Sequence, residues 1–282
     1  MAATIAPLQS VCFASSRLSR FPVSWSSSFS RSRRFARRVS AMASQDVDLE
    51  VFGKAATGTG SPSNQRGDCP FSQRVYMVLE EKHLPYKATY VEEGPNKPDW
   101  FMQHNPSGLM PVLRDAADWI QDSDKIFEHV ENKFKEPSLK TPDEFKSVGA
   151  GIFPAFTNWL KSKDRNAPAK QEFINELTAL EEHLKKHGPY IAGKNPTDSD
   201  FALAPKLRHA RVALKHFIDF VFPSNLQHVA KYIELMETRP SFKKTDSPDE
   251  MIIAGWQTKF DLPDKIDKNS GQEKKTAVTP LV

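Results

Sequence analysis

The chain has 282 residues, 39% of them hydrophobic and 26% charged, with a formal charge of +4. That length suits one large domain or two small ones, and no apolar run is long enough to cross a bilayer as a helix. The positive charge does not point to nucleic acid: residues 1–42 hold seven arginines, many serines and no Asp or Glu, and without them the formal charge is −3.

An Arg- and Ser-rich, acid-free N-terminus has the composition of an organelle transit peptide. Residues 1–42 are expected to be a leader directing the chain to the chloroplast stroma, cleaved near 39–42, and the dense serines of 24–30 favour plastid over mitochondrion. Cys12 lies in this leader, so Cys69 is the only thiol expected in the mature chain. That excludes an intramolecular disulfide and a four-cysteine zinc site.

Residues 47–52 alternate apolar and polar as a half-buried strand does, and 53–67 read as a loop rich in Gly, Ser, Pro and Asn. Pro70 suits the first position of a helix, and Phe71, Val75, Val78 and Leu79 recur at helical spacing up to about Lys82. After the break at Leu84-Pro85, residues 86–91 read as a strand and 100–104 as a short helix. Residues 111–114 and 119–121 form a hairpin pair, and 123–134 a helix. The order β-α-β-α-β-β-α is followed by a linker at 137–142. Beyond it, 145–163, 169–187, 198–217 and 226–237 all have helical periodicity, with Thr197 and Asp200 placed as a capping box. The predicted architecture is an α/β domain over 47–136, an all-α domain over 142–260 and a disordered tail over 263–282.

Cys69 carries the chemistry. A helix start offers unpaired N–H groups and partial positive charge, which favour a thiolate, and the thiolate is the nucleophile. Gly67 allows a sharp entry into the helix. Arg74, one turn on, adds positive charge or simply faces solvent. A buried, inert cysteine is the bland alternative.

The order strand, loop, Cys-Pro-Phe-Ser-Gln-Arg, helix, then a helical half resembles the glutathione transferase fold with a thioredoxin-like N-terminal domain. Gly-Asp-Cys-Pro-Phe-Ser-Gln-Arg-Val (67–75) is similar to the plant dehydroascorbate reductases, and in particular to their chloroplastic form. Leu-Glu-Glu-Lys (79–82), Asn-Lys-Pro-Asp-Trp-Phe (96–101), Asp-Ser-Asp (122–124), Leu-Lys-Ser-Lys-Asp (160–164), Ala-Pro-Lys-Leu (204–207) and Ile-Ala-Gly-Trp (253–256) agree with it, in order, from about residue 47 to 260. The Cys-Pro-Phe-Ser-Gln-Arg hexapeptide alone does not decide, because chloride intracellular channel proteins share it.

The resemblance implies Cys69 as the catalytic residue and glutathione as co-substrate, with no bound cofactor or metal. It places Lys54 and Asp68 near the thiol, toward glutathione and ascorbate; by charge alone Asp68 would raise the thiol pKa, so a substrate-orienting role suits it better. Met110-Pro111 resembles the segment around the cis-proline of thioredoxin-like folds, with Met110 backbone groups facing the cysteinyl part of glutathione; the alternative is an ordinary strand-start proline. Asp122 and Ser123 open a helix whose N–H groups and Ser123 hydroxyl suit the γ-glutamyl carboxylate, with plain capping as the alternative. Lys97 resembles a glutathione-contacting lysine, though on charge alone it is a solvated surface residue. By resemblance His209 and Trp256 line the open side of the site; read bottom-up, they are a structural histidine and a packing tryptophan.

Three departures stand out. The family commonly has Lys-Val-Pro-Val where this chain has Leu109-Met110-Pro111-Val112, and Tyr where it has Arg208; the loop between Lys54 and Asp68 also differs. The reaction implied is reduction of dehydroascorbate by two glutathiones, through a single cysteine and a mixed disulfide, because the chain offers no resolving thiol. A general thioltransferase or deglutathionylase and a chloride-channel-like protein are the alternatives. By resemblance the chain is a monomer, with no nucleic-acid partner and no stable membrane association.

Overall fold

The computed structural model describes residues 48–56, 64–94 and 97–266. The expected leader, Cys12, residues 57–63 of the loop and the tail from 267 onward lie outside the described residues.

Four strands form one mixed sheet: β1 (Leu49–Lys54), β2 (Lys87–Val91), β3 (Val112–Asp115) and β4 (Asp118–Gln121), in the order β2-β1-β3-β4. β1 runs parallel to β2 and antiparallel to β3, with Val51 opposite both Ala88 and Leu113. The crossover from β1 to β2 is α1 (Pro70–Glu81). Its run Val75-Tyr76-Met77-Val78-Leu79 is buried all round, as a helix enclosed on several faces requires. It lies between β1 and the helical half, packed against the helices Asp198–Ala213 and Pro240–Thr245. α2 (Asp99–His104) precedes β3, and α3 (Ser123–Lys133) follows β4. The pleat divides β1: Leu49 and Val51 join the main core, while Phe52 joins Val91, Phe101 and Val112 in a small cluster of its own.

The second half holds α4 (Ile152–Lys161), α5 (Pro168–His187), α6 (Asp198–Ala213), α7 (Gln227–Glu237), α8 (Pro240–Thr245) and α9 (Asp249–Phe260). The helix expected from 145 starts only at Ile152, because Gly149 adopts a positive φ of 72° and breaks the run after a short 3-10 turn at Asp143–Phe145. α6 ends in a π turn, Leu214–Ile218. Asp200 reaches back as the spacing predicts, accepting the Thr197 N–H at 2.8 Å; the Thr197 hydroxyl donates to the same carboxylate at 3.1 Å.

Three further segments depart from the sequence reading. α8 and α9 were not expected, because α8 is only six residues long and α9 buries only Met251, Ile252 and Trp256; each is opened by a proline, Pro240 at a first helical position and Pro248 at an N-cap. The stretch 137–142, read as a linker, is anchored: buried Lys82 donates to the carbonyls of Phe134 and Pro137, both at 2.7 Å, and pairs with Glu131 at 2.7 Å. The tail expected from 263 is docked through Ile266, which is buried and donates its N–H to the Phe217 carbonyl at 2.9 Å. Among the described residues no helix is long and apolar enough to cross a membrane.

Candidate active site

The loop ahead of Cys69 is tied at both sides. Ala55 bridges to Arg66, and the Gly67 N–H donates to the Lys54 carbonyl at 2.7 Å. A Cβ at Gly67 would strike the Ala55 carbonyl, so glycine is required by close approach. From the other side, the α8–α9 connection holds the same loop. Arg66 donates to the carbonyls of Lys244 (3.2 Å) and Asp246 (2.8 Å), and the Ser247 hydroxyl donates to the Gly67 carbonyl at 2.9 Å. Arg208 anchors that connection through Asp246 and Asp249.

Cys69 is the N-cap of α1, with Pro70 at N1, and its Sγ accepts the Ser72 N–H at 3.4 Å. The Ser72 hydroxyl is buried and has no hydrogen-bond partner among the described residues. The expectation of a lowered thiol pKa needs correcting. Burial pushes the Cys69 thiol up, and this outweighs the opposing pull of the Ser72 and Phe71 groups and of the Lys54 charge. The helix start supplies the donors, while the protein packed around the half-buried cysteine removes part of the water that would solvate the anion.

Lys54 and Asp68 do meet beside the thiol. The Lys54 ammonium pairs with Asp68 at 2.7 Å and with Glu93, a residue the sequence reading missed, at 3.1 Å. Burial lowers the Lys54 pKa, the two carboxylates raise it, and the net shift is upward. Asp68 is closed in by α9, since a Cβ at Gly255 would overlap its carboxylate. His209 and Trp256 are placed together but are not exposed: they are 2% and 3% accessible. Trp256 Nε1 donates to His209 Nδ1 at 3.1 Å. Burial, with the charges of Lys54, Arg208 and Lys259, holds the His209 pKa down to about 3, so the ring is neutral with its proton on Nε2. The pair stands behind the site and does not line its open side.

The expected glutathione residues follow β2 and flank β3. Met110-Pro111 is a cis peptide, and the Met110 N–H has no hydrogen-bond partner among the described residues. The Lys97 ammonium lies against Gly108, two residues before Met110. Val112 pairs with Gln121, which brings Asp122 and Ser123 to the same edge. Asp122 caps α3, accepting the N–H groups of Asp124 (2.8 Å) and Lys125 (3.4 Å). The Ser123 hydroxyl accepts from Arg74 at 3.1 Å. Arg74 therefore neither faces solvent nor serves the thiol: it also pairs with Asp124 and Asp198, each at 2.6 Å. Beside Ser123 opens a cleft of about 760 Å³ between the two halves, walled by Phe71, Arg74, Asp198 and Lys206. No group of His, Cys, Asp and Glu among the described residues is arranged to hold a metal ion.

A thioredoxin-like sheet with a cysteine at the start of its first helix, joined to an all-helical half, defines a glutathione transferase fold. Residues 68–133 match the glutathione S-transferase N-terminal domain, and residues 145–241 match the C-terminal domain. The probable glutathione S-transferase DHAR1, cytosolic, of Oryza sativa subsp. japonica is 48% identical over 214 residues, which cover 76% of this chain and 99% of the rice protein. The probable glutathione S-transferase DHAR2, chloroplastic, of the same species is 44% identical over 211 residues, 75% of this chain and 76% of that protein. Among solved structures, dehydroascorbate reductase of Chlamydomonas reinhardtii matches with a TM-score of 0.66 and 34% identity, covering 76% of this chain and 99% of its own. The chain belongs to the glutathione S-transferase family.

Proposed function

We propose that this chain is a glutathione-dependent dehydroascorbate reductase. The observation that carries the reading is the sulfur of Cys69 seated as the cap of α1, accepting the Ser72 N–H, with the Ser72 side chain and the Lys54 charge close by. Those groups stabilise an anionic sulfur once it forms, and the close relatives supply the oxidant. In the proposed sequence the Cys69 thiolate adds to a carbonyl carbon of dehydroascorbate, and Lys54 hydrogen-bonds the developing alkoxide. A glutathione thiolate then attacks the Cys69 sulfur. The S–S bond forms as the S–C bond breaks, and the electron pair leaves with ascorbate. A second glutathione thiolate attacks the glutathionyl sulfur of the mixed disulfide, expelling the Cys69 thiolate and releasing glutathione disulfide. The two glutathiones lose two electrons and dehydroascorbate gains them.

The Met110 backbone receives the cysteinyl part of glutathione, Lys97 one of its carboxylates, and Asp122 and Ser123 its γ-glutamyl end. Asp68 holds Lys54 in place toward the substrate oxygens, and His209 and Trp256 act through packing.

The test is ascorbate formation from dehydroascorbate and glutathione, followed optically. Wild type is expected to exceed the uncatalysed rate, and Cys69→Ser to lose at least about a thousandfold. A wild type no faster than buffer sinks the assignment, and a fully active Cys69→Ser sinks the site.

Residues 1–42 are proposed to deliver the enzyme to the chloroplast stroma, consistent with their composition and with the chloroplastic relative. Fused to a fluorescent protein, they are expected to direct it into chloroplasts; cytosolic fluorescence refutes this.

A further inference from the structure

The cleft between the halves contains a cation that the proposed reaction does not yet use. Lys206 lies on α6, half-buried, in the cleft wall that also includes Asp122 and Ser123. Its ammonium sits over two aromatic faces, 5.2 Å from the Phe71 ring centre and 5.7 Å from that of Phe153. Such faces attract a cation but do not accept strong hydrogen bonds from it. Among the described residues no carboxylate lies within ion-pair distance of Lys206 and no hydrogen bond is made by its Nζ. Burial, and then the charge of Arg74, lower its pKa. The charge is therefore held partly out of water at the cleft wall, with its donors unspent.

Nearby groups narrow what those donors meet. Arg74, the cation closest to Ser123, is consumed: it donates to Asp198 through two nitrogens (3.0 and 2.6 Å), to Asp124 (2.6 Å) and to Ser123 (3.1 Å). Asp122 has turned its carboxylate onto its own helix. The edge runs in order from Lys97 beside Gly108, through Met110, to Ser123. A tripeptide with its sulfur at Cys69 and one carboxylate near Lys97 carries its other carboxylate, on the γ-glutamyl residue, toward Ser123 and the mouth of the cleft.

We propose that Lys206 is the γ-glutamyl carboxylate receptor of this enzyme, binding glutathione from the helical half across the cleft from Ser123. It is a binding residue contributed by the second half of the chain, and it makes recognition of glutathione depend on both halves. This rests on the glutathione reading above.

The test measures binding without turnover, by calorimetry, using two probes on the full chain. One is S-methylglutathione; the other is S-methyl-(4-aminobutanoyl)cysteinylglycine, which lacks only the γ-glutamyl carboxylate. Lys206→Gln and Lys206→Met are expected to weaken S-methylglutathione by about tenfold or more, the scale of one charge-assisted hydrogen bond, and Lys206→Arg to keep most of the affinity. Binding of the truncated probe is expected to be the same in wild type and both neutral variants. Equal losses for the two probes, or no loss for either, overturn the proposal while leaving the glutathione reading standing. A wild type that does not bind S-methylglutathione at millimolar concentration overturns the glutathione reading itself. Thermal melting of each variant separates weakened binding from failure to fold.

Discussion

At the scale of single residues, Cys69 combines two opposed influences. The donors of a helix start favour the thiolate, and partial burial favours the thiol; burial outweighs the donors in the free protein. The sulfur is therefore expected to sharpen as a nucleophile only when a substrate brings further donors or displaces the loop. Alkylation of Cys69 by iodoacetamide, read by peptide mass spectrometry against pH, tests this. The rate is expected to rise with pH through a midpoint above the ordinary thiol range, because the folded protein holds the neutral form. Lys54→Gln removes a charge that lowers the thiol pKa and is expected to move the midpoint higher, with alkylation near neutral pH about threefold slower. The effect is modest because Asp68 and Glu93 already offset that charge. A midpoint below the ordinary range would mean that the helix-start donors outweigh burial at Cys69. The contiguous run from Gly67 to Val75 made this residue legible in the sequence. Glu93 was not singled out there, and Gly255 and Lys206 stood only inside longer segments, because their places around the site are made by folding across long separations.

At the scale of elements, the site hangs on how α1 is gripped. Arg74, 5% exposed, joins α1 to the starts of α3 and α6. In sequence it could be read only as a charge near a thiol or on a surface, since neither Asp198 nor Asp124 lies near it along the chain. Arg74→Met leaves the Asp198 carboxylate, 14% exposed, without its cation. The expected cost in urea unfolding is about 3–5 kcal/mol, and Arg74→Met with Asp198→Asn is expected to recover more than half of it. A double variant as unstable as the single one would place the penalty elsewhere. The order of strands and the long helices α5, α6 and α7 were legible because their apolar periodicity is carried by the chain itself. α8 and α9 were not: α8 is six residues long, and in α9 only Met251, Ile252 and Trp256 are buried, too sparse a pattern to register as a face. Yet their junction fixes the loop that delivers Cys69, through Arg66, Ser247 and Arg208.

For the molecule as a whole, the two halves share one buried core running from Leu49 to Ile266, so stability and site geometry are coupled. His209 sits in that core as a neutral ring bonded to Trp256, with a pKa of about 3. In the unfolded chain its pKa returns to the ordinary value near 6.5. The folded value is the lower one, so the contribution of this residue is fully present above about pH 6.5. It declines as pH falls, because the unfolded chain takes up a proton that the folded one refuses. Below pH 6 the slope approaches about 1.4 kcal/mol per pH unit for this one group, and it ends only near pH 3. Between pH 7.5 and 5.0, wild type is expected to lose about 2 kcal/mol of unfolding free energy through His209. His209→Asn keeps an acceptor for the Trp256 N–H and does not titrate, so its loss over the same interval is expected to be smaller by that amount. Urea titrations of both proteins at the two pH values measure the difference. Parallel losses would mean that His209 is accessible to protons in the folded state, and that the core joining the halves is open where the structure closes it.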